Sequence, residues 1–418
     1  MLSALNGAAP AGQEFHFYVV CDSLRSLRLK SPMDFDIVIV GAGLVGASFA
    51  MALRGAGLKL ALVEAQAPVA AGETWDSRVY AISPGSAAFL DGIGVWKRLD
   101  RARICAVHEM LVHGDAADAL LQFSAYESGV PELAWIVENR PLQSMLWQGL
   151  EHQHNLELVC PDRCETLQLR DDAAELTLAS GRTLRARLVV AADGMHSWTR
   201  QAAGMAAAQK SYGQMGVVAN FSCAGAHHNT AYQWFREDGV LAYLPLPGQR
   251  MSIVWSTPDA HAAELVALPA EALCARVVEA GKEALGKLDL LCPATQYPLA
   301  RLRAARLVAP RIALIGDAGH VLHPLAGQGV NLGFGDAGAL ARVLLQRELF
   351  RDPGEIRLLR RYERARAEDI LALAWVTDGL QQLFAAPGGV AAKLRNAGLN
   401  LTNALPVVKN LLIRRALG

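Results

Sequence analysis

The segment Asp36 to Gly46, DIVIVGAGLVG, constrains the fold of this 418-residue chain more than any other. A run of β-branched residues ends directly in GxGxxG, and small residues at Ala47, Ser48, Ala50 and Ala52 follow. That is the strand, turn and helix of a nucleotide-binding βαβ unit. In such a unit Gly41 permits the tight turn, Gly43 lets backbone approach a pyrophosphate, and Gly46 lets the helix pack closely on the strand. A second apolar strand, Lys59 to Val63, ends at Glu64, about twenty residues on, where a carboxylate accepts hydrogen bonds from an adenosine ribose. The alternative is a glycine-rich turn that only packs a helix on a sheet.

Two later segments repeat the pattern of a buried strand, broken in one at an Asp–Gly pair and in the other at a Gly–Asp pair. Arg187 to Arg200, RLVVAADGMHSWTR, breaks at Asp193-Gly194 and continues through Ser197 and Arg200; a turn with a surface salt bridge is its plainer reading. Ala313 to Asn331, ALIGDAGHVLHPLAGQGVN, stops at Gly316-Asp317 and passes through Pro324, Gly327 and Gly329 to a helical pattern near Val330. An Asp at the end of a buried strand needs a hydrogen-bonding partner, which is either a ligand hydroxyl or the amides of a following helix. No second GxGxxG follows a strand downstream, so a single dinucleotide is expected.

Together the three segments resemble the flavin-dependent aromatic hydroxylases, the group that includes p-hydroxybenzoate hydroxylase. The narrower likeness is to ubiquinone-biosynthesis hydroxylases of the UbiH type. It is carried by DSRVYAISPGSAAFLDGIGVW (Asp76 to Trp96), VENRPLQSMLW (Val137 to Trp147), LAYLPLPGQRMSIVWS (Leu241 to Ser256), GDAGHVLHPLAGQGVNLGFGDA (Gly316 to Ala337) and YERARAEDILALAWVTDGLQQLF (Tyr362 to Phe384). The resemblance runs from about Met33 to the C-terminus. It departs from the family pattern at Gly319, usually Ala, and at Phe334 and Gly335, often Leu and Arg.

This resemblance implies an α/β fold: a Rossmann-like FAD-binding domain with an inserted mixed-sheet substrate domain and a C-terminal helical region. Segments 33–106, 136–210 and 293–351 would form the FAD-binding domain, 107–135 and 211–292 the substrate domain, and 352–418 the C-terminal helices. Residues 1–32 read as an extension or a mis-assigned start. Gly41, Gly43, Gly46 and Glu64 would hold the ADP moiety, with Arg78, Arg140 and Gln143 near the pyrophosphate and adenosine. Asp193 and Gly194 form the central motif. Asp317 would bond the ribityl hydroxyls, and the backbone of Gly327, Gly329, Val330 and Asn331 would lie against the isoalloxazine ring. The activity implied is ring hydroxylation of a polyprenyl phenol with NAD(P)H and O2, through a C4a-hydroperoxyflavin. Tyr243, His320, His323 and Pro324 are the candidates for the catalytic environment, each with a packing role as its alternative. Other readings are an isoprenoid epoxidase or reductase, and a catalytically idle scaffold or lipid-binding subunit of a biosynthetic complex.

Composition narrows the partners. Forty basic and forty acidic residues cancel, which gives no basis for nucleic-acid binding. Seven scattered cysteines do not read as a disulfide framework and suit a reducing, cytoplasmic setting; Cys160 and Cys164 lack a second ligand pair, so no metal site is expected. The sequence has no apolar run long enough to span a bilayer. Lys393, Arg395, Lys409, Arg414 and Arg415, set among leucines and valines, suit either packing on the protein or peripheral contact with the inner membrane face. LAYLPLPGQRMSIVWS has the two apolar runs and PGQR turn of a β-hairpin.

Overall fold

The structure is a computed structural model and describes residues 33–70, 72–114, 119–322 and 329–385. Among these, strands form three sheets. The first runs β17 (Val308–Ala309), β18 (Ile312–Leu314), β11 (Thr183–Ala191), β1 (Phe35–Val40), β2 (Leu60–Val63), β8 (Leu156–Val159), with β10 (Ala174–Leu178) beside β11 and β9 (Cys164–Leu169) beside β10. Strands β18, β11, β1, β2 and β8 are mutually parallel. All but the edge strand β8 are largely buried on both faces, which explains the unbroken apolar runs.

Helices α1 (Leu44–Ala52), α4 (Asn139–Glu151), α8 (Gly329–Leu345) and α9 (Ile356–Ala385) supply the other side of the largest core. Within it Ile37, Ile39, Leu60, Leu62, Phe49, Leu142, Leu146, Leu340 and Leu344 interdigitate. Tyr362 of α9 is fully buried and donates its hydroxyl to Leu314 O at 2.8 Å, which fixes that helix against β18.

The second sheet runs β19 (His320–Val321), β16 (Leu288–Ala304), β12 (Ala207–Cys223), β15 (Arg250–Pro258), β14 (Gly239–Leu246), β13 (Thr230–Arg236), β5 (Glu109–His113), β6 (Leu120–Ser124). One face buries Phe221, Met251, Ile253, Trp255 and Leu241 against α6 (Asp259–Ala267) and α7 (Ala270–Ala280). The hairpin expected in LAYLPLPGQRMSIVWS is β14–β15, in register from Val240–Ser256 to Leu246–Arg250. Strands β12 and β16 continue past residues 210 and 292, the expected domain boundaries, because they pair as a ribbon of 17 residues each with register shifts near Ser211 and Asn220. The third sheet, β3 (Val79–Ile82), β7 (Ala134–Glu138) and β4 (Cys105–Val107), lies between the other two. Short helices α2 (Pro84–Gly92), α3 (Ala125–Ser128) and α5 (Trp198–Ala202) are the other α-helices among the described residues.

One arginine organises the approach to β3. Arg103 donates Nε and an Nη2 hydrogen to Glu138 at 2.8 Å each, and its remaining donors reach the carbonyls of Gly72, Glu73 and Thr74. All five guanidinium hydrogens are thereby engaged. Glu138, fully buried, also accepts from Asp76 N at 2.6 Å. Trp75 lies between the guanidinium groups of Arg103 and Arg250, at 4.8 and 5.3 Å. Lysine has neither the planar fork nor the donors to reproduce this. Arg103→Ala, which strands Glu138 in the interior, is expected to cost about 3–5 kcal/mol of stability, read from the urea midpoint.

Candidate functional site

The glycine turn is set by two close approaches. Gly41 has φ +99°, and a Cβ there would lie 2.5 Å from Ala192 O; a Cβ on Gly46 would lie 2.0 Å from Gly41 O. The turn therefore packs directly on the backbone leading into Asp193-Gly194. Gly43, by contrast, has nothing within 4 Å of a built Cβ, and α1 begins with no side-chain cap and no acid in its first turn. Bare amides at the positive end of a helix beside open space form an anion site. The Ala42 peptide is pinned from both sides: its N–H donates to Glu64 Oε2 at 2.7 Å, and its carbonyl accepts from Gln143 Nε2 at 2.6 Å. Glu64 Oε1 accepts from Gln66 N at 3.1 Å, leaving each carboxylate oxygen further acceptor capacity. Glu64 and Gln143 thus shape the turn as well as bordering its open side.

Arg78 and Arg140 are joined through Asp76, a buried acid that accepts from Arg78 N at 3.0 Å and Arg140 N at 3.1 Å. The Arg78 guanidinium lies 5.5 Å from the Tyr80 ring and 5.7 Å from the Tyr297 ring. Burial raises the Tyr80 phenol to about 12, with Arg78 lowering it and Asp317 raising it. Arg78, Tyr80 and Asp317 therefore lie near enough to feel one another's charge, and sequence reasoning missed Tyr80 and Tyr297.

Asp193 departs from its expected role. Its carboxylate accepts from Ser197 Oγ, from Thr199 N at 2.9 Å and from Thr199 Oγ1 at 2.8 Å, so it caps α5. The contribution of this motif is geometric: Gly194 turns at φ +81°, and buried Arg200 reaches from α5 to Ala318 O at 2.8 Å. The central loop is thereby tied to the turn that carries Asp317.

That turn, Gly316–Ala318, is held from below. Gly316 N donates to Asp336 Oδ2 at 2.9 Å, so capping falls to Asp336. Asp317 accepts no hydrogen bond from any described residue and is exposed. Water reaches its carboxylate, yet protein surrounds it closely: burial raises its pKa, with His320 and Arg78 pulling it down and Asp336 pushing it up. An acid in that position is ready to accept from ligand hydroxyls.

Asp336 is completely buried and also takes His320 Nε2 at 2.6 Å and Arg366 Nε at 2.8 Å. Burial opposes its ionisation, but His320 and Arg366 more than offset this and hold the group below the ordinary carboxylate value. Arg366 goes on to Leu332 O at 3.3 Å and to exposed Asp369, crossing α8 where Gly335 leaves room; a Cβ on Gly335 would lie 2.8 Å from Arg366 Nη2. His320 is accordingly 3% exposed and committed to this cluster. Asn331 Nδ2 donates to Ala81 O at 2.8 Å while its Oδ1 accepts from Ser83 N at 3.0 Å, anchoring the start of α8 beside β3. Gly329 has open space around it, and Val330 packs on the main core. His323, Pro324 and Gly327 lie outside the described residues.

Tyr243 is not brought to this site. It lies in the core beneath α7, 2% exposed, and donates its hydroxyl to Val277 O at 2.5 Å. Alternation along β14 puts it on the helix side of the second sheet, which its residue type alone does not reveal. A surface recess of about 610 Å3 at the β14–β15 turn, lined in part by Cys105, His227, Asn229 and Gln249, includes none of the residues above.

Because Asp336 is held ionised, the stability it contributes is present above the ordinary carboxylate range and is lost as pH falls through its depressed value. Asp336→Asn is expected to lower stability at neutral pH and to flatten the acid limb of the stability profile, measured by urea unfolding between pH 7 and pH 3.

A family model described as an FAD binding domain matches residues 34–374. Ubiquinone hydroxylase UbiL of Rhodospirillum rubrum is 35% identical over 387 residues, 92% of this chain and 89% of that protein. The 3-demethoxyubiquinol 3-hydroxylase of Escherichia coli is 34% identical over 386 residues, 92% of this chain and 98% of that one. Among solved structures, PqsL of Pseudomonas aeruginosa, a probable FAD-dependent monooxygenase, superposes with a TM-score of 0.72 at 25% identity, covering 88% of this chain and all of that one. The glycine turn with its open helix end, and Asp317, which accepts from no described residue, have the donors and acceptors that an FAD needs, and the chain belongs to the FAD-dependent hydroxylases of the UbiH type, as a flavoprotein monooxygenase.

Proposed function

We propose that this enzyme hydroxylates the aromatic ring of a polyprenylated phenol on the route to ubiquinone, with NAD(P)H as reductant and O2 as oxidant. The observation that carries the reading is the likeness, over about nine-tenths of the chain, to two proteins named as a ubiquinone hydroxylase and a 3-demethoxyubiquinol 3-hydroxylase. FAD supplies the redox chemistry and the activated oxygen.

The residues of this chain would bind, orient and shield. The amides at the start of α1, with Gly41, Gly43 and Gly46 shaping the turn, would face the pyrophosphate, and Glu64 the adenosine ribose. Arg140 and Arg78 lie along the same edge with positive charge. Asp317 would accept from the ribityl hydroxyls, and the backbone of Gly329 to Asn331 would flank the ring system. His320 would act through Asp336 as a positioning residue for the Asp317 turn. Single use of GxGxxG agrees with reductant binding from solution.

The substrate would lie against the face of the second sheet opposite α6 and α7. Asn220 and Ser252 are register partners on that face, both wholly buried, and Asn220 Oδ1 and Ser252 Oγ have no hydrogen-bond partner among the described residues. One acceptor and one hydroxyl beside each other suit a ring carrying its own oxygen substituents. The lipid tail of such a substrate calls for peripheral contact with the inner membrane face from the cytoplasm, alone or within a biosynthetic complex.

Adding a prenylated phenol to the holoenzyme is expected to raise NAD(P)H oxidation and to give a product with one added oxygen by mass spectrometry; a product gaining hydrogen instead overturns the hydroxylase reading. Asp317→Ala should weaken FAD binding about 10–100-fold, the loss of charge-assisted hydrogen bonds, measured by flavin fluorescence titration. Unchanged affinity would remove Asp317 from the site.

A further inference from the structure

Among the described residues, three of the most exposed large apolar side chains fall within six positions of one another: Leu345 at 50%, Leu349 at 98% and Phe350 at 86%. They form the tip of the helical hairpin between α8 and α9. Apolar side chains this exposed and this close together indicate a contact surface.

The charge around the tip says what covers it. Residues 342–364 hold seven arginines and four acids. Three of those acids, near the tip, are engaged within the hairpin or its base: Glu348 by Arg351 and Arg361, Glu355 by Arg351, and Asp352 by Arg311. The side chains of Arg342, Arg357, Arg360 and Arg364 are exposed and make no ion pair or hydrogen bond among the described residues. Arg357, Arg360 and Arg364 are spaced to share one side of α9, while Leu358, Leu359 and Tyr362 face the core. The surface is therefore an apolar point beside uncommitted positive charge.

We propose that the hairpin tip inserts Leu349 and Phe350 into an anionic lipid bilayer, with Arg342, Arg357, Arg360 and Arg364 facing the headgroups. Two or three side chains cover far less than the roughly 800 Å2 per partner of a stable protein interface. Shallow insertion backed by cations is, in contrast, sufficient for interfacial binding. The described helices include none long and apolar enough to cross a membrane. This inference gives the membrane contact of the proposed function a location on the fold, and its test is read without substrate.

The full-length holoenzyme is sedimented with vesicles of phosphatidylcholine alone or mixed with phosphatidylglycerol, at low and high salt. Binding to the mixed vesicles, weakened by salt, is expected. Leu349→Asp with Phe350→Asp should reduce apparent affinity at least about tenfold while flavin content stays that of the wild type. Arg357→Glu with Arg360→Glu, which leaves the apolar tip intact, should reduce binding to the mixed vesicles and not to phosphatidylcholine alone. The proposal is overturned if the wild type does not bind, or if the tip variant binds as before. It is equally overturned if binding is lost on reversing Lys409, Arg414 and Arg415 but not on changing the tip, or if the tip variant alters only oligomeric mass.

Discussion

One buried negative charge holds the flavin side of this protein together. Asp336 receives the amide of Gly316, the imidazole of His320 and the guanidinium of Arg366, which belong to a turn, a two-residue strand and the last described helix. A carboxylate with no solvent around it is costly unless every partner is present, so the three elements must assemble together. The turn that carries Asp317 thereby owes its position to helix packing more than to its own sequence. Arg103 and Glu138 do the same for the approach to β3, where Arg78 and Tyr80 lie. Both hubs take up the structural hydrogen bonds themselves.

The parts legible in the sequence were those whose geometry is local. Gly41, Gly43 and Gly46 serve a turn only a few residues long, and the alternation in the β14–β15 hairpin repeats every second residue. The capping role of Asp193 was not legible because a capping acid and a ligand acid look alike in an Asp–Gly pair; it rests on Ser197 and Thr199, through bonds that need the folded loop. Tyr243 was misplaced by one residue of strand phase, which decides whether a side chain meets the helices or the opposite face. Asp336 with Arg366, and Arg103 with Glu138, pair across 30 and 35 residues, and no periodicity links such partners. Tyr80 and Tyr297 both come to Arg78 only where two different sheets approach.

The Gly335–Arg366 contact has a consequence for any set of related sequences. The guanidinium occupies the volume that a side chain at position 335 would fill, and it is tethered at three points. The two positions therefore behave as one site shared by two helices. A side chain at 335 would make the Arg366 guanidinium shift, and with it the tethers to Asp336, Leu332 and Asp369. The bare glycine that departs from the family pattern is then the gap through which the neighbouring helix delivers charge beside Asp336.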